Sequence, residues 1–92
     1  MNKCLKIILK IEAKEGVLQD FIQKNAKKSK IEGIAQAIDK ETVKIIAFGS
    51  NENIDEFIDS LYAGYKNIKP TVIEVEPFLR DKDYRGVFRV IE

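Results

Sequence analysis

Residues 33–49 read GIAQAIDKETVKIIAFG, and the fold of the chain turns on how this stretch is read. Two extended runs, 33–38 and 42–48, flank Asp39-Lys40-Glu41, a polar connector of hairpin length between residues suited to strands. The second run alternates, with Val43, Ile45 and Ala47 on one face and Thr42, Lys44, Ile46 and Phe48 on the other. Gly49 and Ser50 then stop the strand, and Ser50 is a good helix cap.

Downstream of the hairpin, Glu52, Asp55 and Glu56 load the positive end of a helix dipole. Ile54, Phe57, Ile58, Leu61 and Tyr65 form one apolar stripe at helical spacing, which predicts a helix over 51–65 ended by Gly64 and Pro70. Residues 71–76 alternate again, with Ile73 and Val75 inward, until Pro77 breaks the ladder. Residues 80–85, RDKDYR, read as a charged loop, and 86–91 as a last strand. Upstream, 3–12 alternate with Leu5, Ile7, Leu9 and Ile11 on the buried face. After a short connection, Leu18, Phe21, Ile22 and Ala26 change to helical spacing and predict a helix over 17–30. Lys24, Lys27, Lys28 and Lys30 crowd its last turns, at the negative end of the dipole and on a solvated side.

The order strand, helix, strand, strand, helix, strand, plus a final strand, predicts an α+β chain of one domain, 1–92. The expected architecture is a ferredoxin-like βαββαβ sandwich with an additional C-terminal strand. Two helices cover one face of a five-stranded sheet, since right-handed crossovers leave few other arrangements. Ile54, Phe57, Ile58 and Leu61 are expected in the core together with Leu5, Ile7, Leu9, Ile11, Leu18, Phe21, Ile22, Ala26, Val43, Ile45, Ile73, Val75, Phe88 and Val90.

Composition narrows the function classes. Sixteen basic residues against fifteen acidic ones give a net charge of +1, which supplies no long-range field toward nucleic acid or membrane. One aromatic, Phe48, on the outer sheet face is fewer than the two or three on which RNA-recognition sheets stack bases. There is no histidine, so histidine acid–base catalysis and histidine metal ligation are excluded. The lone Cys4 forms no internal disulfide, and no metal-ligand cluster or cofactor motif is present. Lys6 and Lys10 interrupt the apolar run near the amino terminus, which reads as a strand rather than a signal peptide, and the expected location is cytoplasmic.

The hairpin 33–37 and 43–49, the helix FIQKNAKKSKI before it, Leu61-Tyr62-Ala63-Gly64 and the closing 86–90 together resemble the acylphosphatase family over nearly the whole chain. The resemblance implies a loop between first strand and first helix whose backbone amides cradle an acyl phosphate. It also implies an arginine on that loop that binds the phosphate, and a hairpin asparagine that orients the attacking water. Here the loop reads Ala13-Lys14-Glu15-Gly16-Val17-Leu18-Gln19-Asp20. The arginine's place falls on Gln19, or on Asp20 without the one-residue gap, and the asparagine's place on Ala37. The expectation is an acylphosphatase-like domain without catalytic residues, acting as a small binding module. The alternative is an acylphosphatase with substituted active-site residues.

Two binding surfaces follow from the residues. Lys14, Gly16, Val17, Leu18 and Gln19, at a helix start, are candidates for holding a small phosphate or carboxylate. Ile8, Ile46, Phe48, Val87 and Ile91 fall on the outward sheet face, where they are candidates for a protein partner or a homodimer contact.

Overall fold

A computed structural model describes residues 2–12, 16–79 and 86–91. The elements run β1 (Asn2–Lys10), a π-helical segment (Val17–Gln23) continuing as α1 (Lys24–Lys28), β2 (Glu32–Asp39), β3 (Thr42–Ser50), α2 (Asn51–Ala63), β4 (Val72–Pro77) and β5 (Phe88–Ile91). The five strands form one sheet in the order β4-β1-β3-β2-β5. All neighbours are antiparallel except β2 and β5, which are parallel. This is the ferredoxin-like arrangement with the fifth strand added beside β2.

The hairpin supplies the central pairing: Ile45 lies opposite Ala35 on one side and Ile7 on the other. Period-two alternation then sends Ile7, Leu9, Ala35, Val43, Ile45 and Ala47 toward the helices, where all are fully buried. Val17, Phe21, Ile22 and Ala26 from the first helix and Ile54, Phe57 and Leu61 from α2 complete the same cluster, with Phe88 closing it from β5. Phe57 and Phe88 meet edge to face at 6.1 Å between ring centroids. Ser50 begins α2 as its spacing predicts, its hydroxyl accepting from the Asn53 N–H at 3.1 Å.

Several boundaries differ from the sequence reading. The first helix opens in π geometry, with the Phe21 N–H reaching back five residues to the Gly16 carbonyl at 3.2 Å. The wider turn brings Val17, Phe21, Ile22 and Ala26 to one face, because Val17 and Ile22, like Phe21 and Ala26, are five residues apart. The α2 helix stops at Ala63, and Tyr65 pairs with Ile68 through a tight turn whose central residues, Lys66 and Asn67, both take positive φ. Val75, expected in the core, is 42% exposed. It sits on the edge strand β4, beyond the reach of the helix layer, although Ile73 on the same strand still packs against the cluster. Pro77 is the last residue of β4 and lies opposite Leu5, so its missing N–H ends the strand. The charged stretch 80–85 lies outside the described residues.

No helix among the described residues is long and apolar enough to cross a membrane.

Candidate functional site

The register decides what gathers at each end of the sheet. Lys10 lies opposite Thr42, so β1 ends beside the β2–β3 turn. The first helix starts at that end and α2 finishes there. Hydrogen bonds tie the corner together: Ile11 N–H to the Glu41 carbonyl at 3.0 Å, and Thr71 N–H to the Lys10 carbonyl at 2.8 Å. An open cavity lined by Lys10, Ile11, Glu12, Glu41 and Thr71 lies at this corner.

Gly16 heads the helix in a left-handed conformation, φ 90° and ψ −14°, which glycine adopts without strain. Its carbonyl accepts from the Asp20 N–H at 2.7 Å. The N–H groups of Val17, Leu18 and Gln19 precede that first helical bond and form the positive end of the dipole. This is the geometry in which an anion is held. Two side chains lie close beside Gly16. The Tyr65 hydroxyl oxygen and an Asp20 carboxylate oxygen lie 2.8 and 3.0 Å from the point that a Cβ on Gly16 would occupy. Tyr65 is fixed there by stacking on Phe21, 5.7 Å between centroids, with the Lys66 ammonium 5.2 Å from its ring centroid.

The sequence candidates separate. Gly16, Val17 and Leu18 are together at the helix start, but the Val17 side chain is buried and Leu18 packs against the core. Gln19 and Asp20 are exposed on the first turn. Ala37 lies on the same sheet face as Ala35, opposite Val43 and just before the irregularity at Asp39. It brings a methyl group and no hydrogen-bonding atom to the corner. Lys14 and Glu15 lie outside the described residues. Nearby, the Asp39 carboxyl is held below its ordinary value, first by the Glu41 N–H, which donates to it at 2.8 Å, and then by Thr42 and Lys10.

Spacing alone puts Tyr65 in the stripe of α2. The Gly64 before it and the Lys66-Asn67 pair after it are turn signals that put it past the helix end. Among the described residues no group of three or more Cys, Asp or Glu side chains is arranged to hold a metal.

The outer face carries the other candidates. Adjacent strands align Glu76, Lys6, Ile46, Ile34 and Arg89 in one row and Glu74, Ile8, Lys44, Gln36 and Ile91 in the next. Val87 and Ile91 are each over 40% exposed, and Ile8 and Phe48 are partly so. Ile46 is only 5% exposed, so it supplies little contact area to anything that docks. Lys6 and Glu76 form an ion pair at 3.4 Å across the β1–β4 edge.

The acylphosphatase family model matches residues 16–89. An acylphosphatase from Bacillus subtilis superposes with a TM-score of 0.82 at 24% identity, each chain covered in full. One from Coxiella burnetii gives 0.84 at 18% identity, over 98% of this chain and 93% of that one. A bacterial light-regulated adenylyl cyclase also contains the fold, with a TM-score of 0.70 at 21% identity over 99% of this chain and 28% of its own. At these identities the structural likeness establishes the fold alone. No curated protein matches the chain by sequence.

Proposed function

The chain belongs to the acylphosphatase family, and from that premise we propose that it is a non-hydrolytic member acting as a small binding module. The observation that carries this reading is the composition of the corner around Gly16. The family's arginine position falls on Gln19 or Asp20, and its asparagine position on Ala37. Gln19 is uncharged, and Ala37 has nothing with which to hold a water. Phosphoryl transfer in such a site is mostly positioning and electrostatics, so each missing donor costs about 3–4 kcal/mol, or roughly 10²–10³ in rate. The Asp20 carboxylate beside Gly16 adds repulsion. At about 5 Å from a phosphate charge, and an effective dielectric near 20, it amounts to about 3 kcal/mol. A lysine's compact ammonium does not replace a bidentate guanidinium on a developing phosphoryl anion.

The binding role is assigned to the outer sheet face. Val87 and Ile91 give it exposed apolar area beside Arg89, and the partner it fits is a protein surface of mixed apolar and acidic character. The test combines turnover with capture. The purified chain leaves a small acyl phosphate at its uncatalysed rate of hydrolysis. Ile91→Lys abolishes capture of the protein partner while leaving stability within about 0.5 kcal/mol, as for a surface change. Turnover in the enzymatic range would overturn the first half, and partner capture unaffected by Ile91→Lys the second.

A further inference from the structure

The helix layer carries a charge pattern that the acylphosphatase-like corner and the outer sheet face do not use. On α2, Glu52, Asp55, Glu56 and Asp59 step along one exposed side, with no basic residue anywhere on the helix. On α1, Lys24, Lys27 and Lys28 are exposed in a five-residue segment with no acidic one. The two helices adjoin on the same sheet face and run in opposite directions. The first starts at the β2–β3 turn, whereas α2 starts from Ser50, which lies opposite Asn2 at the other end of the sheet. Their charged ends are therefore level. A Cβ built on Gly49 would lie 3.8 Å from both the Lys30 carbonyl oxygen and the Asn53 Cβ, so the end of α1 and the start of α2 sit side by side. No ion pair joins the two stripes among the described residues. The one ion pair that α2 makes there is Asp55 to Lys3 at 3.6 Å, between exposed side chains.

We propose that this layer is a self-association surface, with α1 of one copy lying on α2 of a second. A two-fold axis parallel to the helices and between them exchanges α1 with α2 and leaves the level of every residue unchanged. The lysines of each copy then face the carboxylates of the other, in two equivalent sets, as an isologous contact requires. The partner is a second copy because each alternative meets repulsion. A nucleic acid drawn by the lysines would meet the acidic stripe beside them, and a basic partner drawn by α2 would meet α1. A net charge of +1 imposes no general repulsion between copies. Tyr62, 59% exposed, continues the acidic stripe and supplies an aromatic contact. A contact made largely of exposed charges is small and strongly screened by salt.

Sedimentation equilibrium tests this with two charge-swapped forms. One carries Lys24→Glu, Lys27→Glu and Lys28→Glu, making its helix layer wholly acidic. The other carries Asp55→Lys, Glu56→Lys and Asp59→Lys, making it mostly basic. The unaltered chain should associate at about 0.02 M salt and dissociate at about 1 M, where the screening length falls to about 3 Å. Each swapped form alone should associate at least tenfold more weakly, and an equimolar mixture should recover association as a mixed dimer. That recovery also shows that both forms are folded. A chain monomeric at low salt overturns the proposal, as do swapped forms that associate like the parent or a mixture that stays monomeric. Dimers lost on Ile91→Lys, at the outer sheet face, but unaffected by both swaps overturn it as well.

Discussion

The hydroxyl oxygen of Tyr65 stands 2.8 Å from where a Cβ on Gly16 would be, so the start of the first helix packs against the turn that follows the second. Because Gly16 also has φ 90°, Gly16→Ala meets both backbone strain and a collision, each costing about 1–3 kcal/mol. Tyr65→Phe removes the colliding oxygen and leaves the ring at ordinary contact distance. In a double-mutant cycle read by urea unfolding, the pair should be less destabilising than the sum of the singles, by at least about 0.5 kcal/mol. Strict additivity would show that the two sites do not touch.

A harsher constraint lies inside the hairpin. A Cβ on Gly33 would collide with the Ile46 carbonyl oxygen, and φ there is 145°. Neither the strand backbone nor the dihedral has room to yield. Gly33→Ala should cost about 3 kcal/mol or more, read as a fall in the urea midpoint with an unchanged slope. Parent-like stability would mean that β2 and β3 are paired differently.

These two glycines also mark where the sequence was legible and where it was not. The hairpin, both helices and the one-sided core were readable because hydrophobic period switches from two to helical spacing and back, and Gly33, Ser50 and Gly64 punctuate the switches. The exposure of Val75 was not readable, since alternation reports which way a side chain faces and not whether a helix reaches that far across the sheet. The π-helical opening was hidden because Val17, Phe21, Ile22 and Ala26 satisfy both four- and five-residue spacing. Gln19, Asp20 and Ala37 stand out only through the resemblance to the acylphosphatase family, whose arginine and asparagine positions fall on them. The approach of Tyr65 to Gly16 joins residues 49 positions apart, and only the antiparallel course of the two helices brings them together.

Asp39 supplies a pH-dependent prediction. Its carboxyl is held below the ordinary value of 3.8 by the Glu41 N–H, the Thr42 hydroxyl and Lys10. A depressed folded pKa means that the ionised group stabilises the fold above the unfolded value, and that this contribution disappears as pH falls through the folded one. The stability difference between the parent and Asp39→Asn should therefore be constant from neutrality down to about pH 5 and shrink as pH falls below the ordinary value. Thermal unfolding of both proteins across that range measures it. A difference that grows on acidification would contradict the assignment.

The central claim concerns the chemistry of the Gly16 corner, and steady-state turnover of acetyl phosphate near neutral pH tests it most directly. If, as proposed, Gln19 or Asp20 takes the family's arginine position and Ala37 its asparagine position, release of phosphate should match the protein-free control at every enzyme concentration. A kcat in the usual enzymatic range of about 1–10³ s⁻¹, proportional to enzyme and lost on Gln19→Ala, would contradict it.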